Sequence, residues 1–120
     1  MKKQIPKIIN NGLYIGPNIL SYDQEPHRKP LKENVKVCRA WIRMWIDKRK
    51  TINKKHGSYR LKHFVEEMND GHISNGAFIQ AAFEEGFIIK PFGPNSPNAY
   101  FNMSFVRIEK ELRKRKENHY

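Results

Sequence analysis

One cysteine, Cys38, stands in a chain of 120 residues. A lone thiol excludes an intrachain disulfide framework and any zinc site built from several cysteines. It fits a reducing compartment. No apolar run approaches the roughly 20 residues that a helix needs to span a bilayer. The basic start, Met1-Lys2-Lys3-Gln4-Ile5-Pro6, is not followed by an apolar stretch of signal-peptide length. Exported, membrane-spanning and disulfide-stapled classes are therefore set aside, and a cytoplasmic protein is expected. The chain also lacks a Gly-rich phosphate loop, a nucleophile elbow and an HExxH pair, so no enzymatic activity, cofactor or metal site is expected. Negative charge is scarce, with 12 Asp and Glu against 23 Lys and Arg and a net charge of +11.

The cations are unevenly spread. Arg28 to Lys62 holds 13 basic and two acidic residues, whereas His63 to Ile89 holds five acidic residues and no Lys or Arg. Arg107 to Lys116 is basic again. Such a charge favours polyanionic partners, because neutralised phosphates release counterions. Nucleic acid, with double-stranded DNA favoured, is the expected partner. The length suits one domain, and 38% hydrophobic residues allow a modest core.

Residues 1–33 carry four prolines and read as an N-terminal arm, with a short strand within Gly12–Gly16. Residues 34–50 have helical periodicity, with Asn34 as N-cap. Their apolar arc, from Val35 to Ile46, covers well over half the wheel and takes in Trp41 and Trp45, which are assigned to the core. So wide an arc makes this helix either central to the fold or half of a homodimer contact. Residues 51–57 form a basic connector. Ser58 is expected to cap a second helix over 59–69, with Leu61, Phe64, Val65 and Met68 inward and Lys62 away from that face. Asn69-Asp70-Gly71-His72 is a turn. Ser74 caps a third helix over 75–86, stapled by Ile73 and Phe78 and ended by Gly86. Its buried face would be Phe78, Ile79, Ala82 and Phe83. Residues 87–103 read as a hairpin around a Gly/Pro/Asn loop, in which Phe92, Tyr100 and Phe101 pack rather than stack on bases. Residues 105–117 form a last amphipathic helix, docked by Val106 and by Ile108 and Leu112.

Helix, helix, turn, helix, hairpin is the order of a winged helix–turn–helix domain, so the expected fold is mainly α, of the α+β class. Three core helices and a β-hairpin wing would occupy 34–104, and a basic C-terminal helix 105–120. In such domains the third helix enters the major groove. The stretches Gly57-Ser58-Tyr59-Arg60-Leu61-Lys62-His63, Ile73-Ser74-Asn75-Gly76-Ala77-Phe78-Ile79, Gly86-Phe87 and Pro97-Asn98-Ala99-Tyr100-Phe101-Asn102 also resemble a family of small uncharacterised proteins from plasmids and phages. The resemblance spans about residues 57–104. It implies a mobile-element setting and carries no activity with it.

The third helix has no basic residue, and Glu84 and Glu85 at its end would repel phosphates. Its first turn, Ser74-Asn75-Gly76, would offer free N–H groups to a phosphate, and Asn75 or Gln80 could read an adenine. Equally, Gly76, Ala77 and Ala81 suit a helix packed closely on a neighbour. The first helix presents Lys36, Arg39 and Arg43 in one stripe beside Lys48-Arg49-Lys50 and Lys54-Lys55, which could track a phosphate backbone. The alternative is a solvated face. The DNA-contact set is thus Lys36, Arg39, Arg43, Lys50, Lys54, Lys55 and Arg60 for phosphates, Ser74, Asn75 and Gln80 at the groove, and Lys90 in the wing. Neither the alternating Asp23, Glu25 and His27 nor the cluster His63, Glu66, Glu67, Asp70 and His72 is expected to hold a metal ion, since charges such as Glu66 and Glu67 on the exposed side of an amphipathic helix normally serve solubility. Cys38 reads as a buried, inert thiol. The alternative function is a protein-interaction factor, such as an inhibitor of a host nucleic-acid-binding enzyme. On the DNA reading, Arg39→Ala with Arg43→Ala should weaken binding to all sequences alike and flatten its salt dependence; an unchanged titration would reject that face.

Overall fold

The helical periodicity of 34–50 conceals a helix and a strand. In a computed structural model describing residues 7–14 and 28–117, α1 spans Lys32–Trp45, with Leu31 rather than Asn34 as N-cap. The chain turns extended at Ile46, and β3 runs Asp47–Asn53, so the basic connector begins as a strand. β3 exists because a partner far along the chain completes its hydrogen bonds, which the 3.6-residue period cannot reveal. That partner is β5, Ala99–Ser104, paired antiparallel with Asp47 opposite Ser104 and Asn53 opposite Phe101. Register shifts between Lys48 and Asn53, and two asparagine side chains bridge the gap. Asn102 donates to the Arg49 carbonyl at 3.0 Å, and Asn53 to that of Met103 at 2.9 Å.

The other elements are β1 (Ile8–Ile9), β2 (Gly12–Leu13), α2 (Ser58–Asn69), α3 (Asn75–Glu84), β4 (Ile89–Pro91) and α4 (Val106–Glu117). The described residues fold as an α+β structure of four helices and two small antiparallel sheets, one ordered β1-β2 and the other β3-β5-β4. The expected hairpin is present as β4 and β5, with Phe92 N–H donating to the Asn98 carbonyl at 3.0 Å. No helix among the described residues is long and apolar enough to cross a membrane. Asp23, Glu25 and His27 lie outside the described residues.

The ends of α3 follow local chemistry, and the start of α2 does not. Ser74 caps α3 by accepting the Ala77 N–H at 3.0 Å, and the staple residues Ile73 and Phe78 are buried. Gly86, at φ +86°, closes the helix: its N–H reaches the Phe83 carbonyl and that of Phe87 the Ala82 carbonyl, a Schellman pattern. In α2, Gly57 is the N-cap. Ser58 lies inside, fully buried, and its hydroxyl accepts the Ala99 N–H at 3.1 Å. It joins helix to sheet instead of capping.

The core centres on α3. Phe78 meets Trp41 edge-on at 5.9 Å and Phe101 at 5.6 Å, geometry that aromatic quadrupoles favour. Ala77 and Ala81, which lie outside the expected buried face, are fully buried, while Phe83, expected on that face, is 36% exposed. Close packing is what the small residues serve, because α1 lies along α3 on one side and the β1–β2 hairpin covers its start. The wide arc of α1 divides: Val35, Cys38, Trp41 and Ile42 are buried, Val37 and Trp45 pack partly against the core, and Met44 is 61% exposed. Burial, aided by the charge of Glu66, pushes the Cys38 thiol up to about 12. In α4, Ile108 is buried and Leu112 packs at the margin, but Val106 is 71% exposed and does not dock.

The closest approach is at Gly76. Its N–H donates to the Asn10 carbonyl at 3.0 Å, and a Cβ there would run into the backbone carbonyl of Ile9. Backbone cannot yield as a flexible side chain can, so Gly76→Ala should cost about 2–3 kcal/mol of unfolding free energy in urea. Gly93→Ala, whose added methyl meets nothing within 4 Å, should change little. Equal stability of the two variants would remove the hairpin–helix contact from this account.

Candidate nucleic-acid interface

The two arginines of the α1 stripe face carboxylates. Arg39 Nε lies 2.6 Å from Glu85 Oε2 and its Nη1 2.9 Å from Glu84 Oε1; Arg43 Nε lies 2.9 Å from Glu85 Oε1. The acidic end of α3 thus neutralises α1 rather than standing out to repel phosphates. Hydrogen bonding from Arg43 and Arg39, opposed by some burial, holds the Glu85 carboxyl below its ordinary range. The hydrogen bond to Glu85 likewise raises Arg39, against slight desolvation. Lys36 is exposed and has no carboxylate partner among the described residues.

The groove set is mostly interior. Ser74 and Asn75 are only 6% and 7% exposed, so the expectation that they sit at a groove meets a covered helix end. The N–H groups of Gly76 and Ala77 are taken by the Asn10 carbonyl and the Ser74 hydroxyl, so that turn does not offer them to a phosphate. The Asn75 amide nitrogen lies 3.0 Å from the Asn11 carbonyl, 2.9 Å from Asn98 Oδ1 and 3.3 Å from the Pro97 carbonyl. It ties the hairpin, the helix and the β4–β5 loop together. Gln80 is half-buried and donates to Glu84 at 2.8 Å.

The remaining cations separate into bound and unbound. Lys55 pairs with Glu109 at 2.7 Å, and the Arg60 guanidinium lies 5.6 Å from the centre of the Phe64 ring. Lys90 is exposed on β4, opposite Tyr100, whose ring stacks on Phe92 at 4.0 Å. β3 is an edge strand, exposed from Asp47 to Thr51. Lys48, Arg49 and Lys50 on it, and Lys54 just beyond, carry no carboxylate partner among the described residues. Lys48 instead lies 5.4 Å from the Phe87 ring centre, and Arg49 donates to Thr51. These four cations form a strip along one margin of the sheet.

Three polar clasps hold the elements together, and two of them escaped the sequence reading because their partners are distant in the chain. Arg107 forks onto Asp47, both contacts at 3.1 Å, and donates to the Met44 carbonyl. His56 is buried, edge-on to Phe105 at 4.8 Å, with Nε2 3.0 Å from Glu109. Together they moor α4. The third clasp is Glu66, from the acid–histidine cluster. It receives the Ile73 N–H at 2.9 Å and gathers Lys62 at 3.3 Å, His63 at 2.9 Å and His72 at 3.2 Å. Lys62, expected outward, is 6% exposed, because Glu66 and the Tyr59 ring receive its ammonium. The cluster thereby fastens the α2–α3 turn. Among the described residues no group of three or more His, Cys, Asp or Glu could hold a metal ion.

No protein-family model matches the chain, and neither the curated proteins nor the solved structures contain a match to it.

Burial would raise the Glu66 carboxyl, but the Ile73 N–H, Lys62 and His63 outweigh it and hold the group below its ordinary value of 4.5. Glu109 is lowered in the same way by Lys55 and His56. A carboxylate lowered by folding binds its proton more readily when unfolded. The stability it contributes is therefore full above about pH 5 and is lost as the pH falls through the lowered value. Unfolding free energies measured from pH 7 to pH 3 should fall with acid. Glu66→Gln should lower stability by about 1–2 kcal/mol at pH 7 and flatten part of that slope; an unaltered slope would contradict the clasp.

Proposed function

We propose that the protein is a non-enzymatic, cytoplasmic DNA-binding domain of the winged helix–turn–helix kind, accessory or regulatory to a mobile element. On this reading it grips the phosphate backbone mainly through the margin of its sheet. The order α1-β3-α2-α3-β4-β5 and the sheet order β3-β5-β4 support the winged-helix assignment. The observation that carries the function is the strip Lys48, Arg49, Lys50 and Lys54, exposed and without carboxylate partners among the described residues. Lys90 on β4 would add a wing contact. Free ammonium groups on a rigid strand release counterions when a phosphate docks. Arg39 and Arg43 already share Glu85, which reduces the charge they could bring to a phosphate. With the start of α3 covered, contacts of this sort position the protein on a duplex without reading bases.

A protein partner is the second reading, favoured by the absence of cations on α3 and by the exposed side chains Met44, Ile88 and Phe92. Fluorescence anisotropy with random-sequence duplex across a salt series separates the two. Binding should weaken with salt, by about 0.9 log unit per log unit of salt for each phosphate neutralised. Lys50→Ala with Lys54→Ala should lower that slope by about 2. Arg39→Ala with Arg43→Ala should change it by less, while lowering stability more. No binding at low salt would overturn the DNA reading in favour of a protein partner.

A further inference from the structure

We propose that the concavity between β1, the start of α1 and α3 is a binding site for a small organic anion with an apolar body. Its volume is about 750 Å³, within the range of roughly 300–1,000 Å³ usual for small-molecule pockets. Its floor is apolar: Ile8 and Val35 are 8% and 7% exposed, with Pro30 beside them. Four lysines line it: Lys7, whose ammonium lies over the Tyr14 ring, and, apart from it, Lys29, Lys32 and Lys36. The latter three are exposed and none of them has a carboxylate partner among the described residues.

Two carboxylates also line the concavity, and one of them is already engaged. Glu84 pairs with Arg39 and accepts from Gln80 at 2.8 Å. Glu33 is exposed in the first turn of α1. The lining therefore keeps an excess of positive charge over an apolar base. An inorganic anion would leave that base wet, and an uncharged apolar molecule would leave the ammonium groups unanswered. A sulfonate, carboxylate or phosphate joined to a hydrocarbon or ring body satisfies both. The site is separate from the β3 strip and does not depend on the DNA reading.

Two fluorescent probes with nearly the same ring body test the proposal on the full chain. One is 8-anilinonaphthalene-1-sulfonate, and the other is uncharged N-phenyl-1-naphthylamine. The sulfonate should bind saturably, at one site per chain and more tightly than the neutral probe. Lys29→Ala with Lys32→Ala should weaken the sulfonate about five- to tenfold and leave the neutral probe nearly unchanged, with an unaltered far-ultraviolet circular dichroism spectrum. Lys50→Ala with Lys54→Ala should leave sulfonate binding intact, so failure here is distinguishable from failure of the DNA reading. Non-saturable binding, sulfonate affinity indifferent to the Lys29/Lys32 pair, or loss of the site on Met44→Lys would overturn it. The last result would put the probe on the exposed apolar edge of α1.

Discussion

The first turn of α3 is where the separate segments of this chain converge. Gly76 lies so close beneath the β1–β2 hairpin that only hydrogen fits on its Cα, and its N–H is taken by Asn10. One residue earlier, the Asn75 amide reaches the hairpin and the β4–β5 loop. A hairpin with strands of two residues has little stability of its own. Here it gains a hydrophobic floor and helix-end donors, and α3 in turn has its unsatisfied N–H groups answered. The arrangement gives up the exposed helix start that groove-reading domains present.

That trade leaves the start of α3 closed to a ligand. Phe78, Ile79, Ala81 and Ala82 are wholly buried, so the helix serves as the core on which α1, α2 and the sheet pack. The charged groups sort accordingly. Acidic side chains at the end of α3 meet arginines of α1, and Glu109 meets Lys55 and His56. Such ion pairs at partly exposed positions each add little to stability. They do determine which cations stay free. Among the described residues, those without a carboxylate partner include Lys48, Arg49, Lys50 and Lys54 along and just beyond β3, and Lys29, Lys32 and Lys36 around the concavity.

Much of the local structure was legible in the residues themselves. Ser74 and Gly86 bracket α3 through hydrogen bonds that need only near neighbours, and Ile73 with Phe78 supplies the staple. The hairpin was legible from its Gly/Pro/Asn loop between apolar runs. The strand β3 was not, since Lys48-Arg49-Lys50 has neither alternation nor an apolar face, and as an edge strand it needs none. Ser58 looked like a cap because its type suits one, yet its hydroxyl serves Ala99 across the core. Of the candidate site residues, Lys50, Lys54 and Lys90 lie on the surface as expected, whereas Ser74 and Asn75 lie inside.

The sequence by itself determined the single thiol, the excess of positive charge, the ends of α3 and the approximate sites of the helices and the hairpin. These depend on composition or on contacts within a few residues. Only the tertiary structure decided that Arg39 meets Glu85 across 46 positions and that Arg107 meets Asp47 across 60. It also decided that the start of α3 is covered and that four lysines line one concavity. The physical reason is that strand pairing, ion pairing and the burial of a helix face are properties of which segments come together. Periodicity records that a face wants cover but not what will cover it.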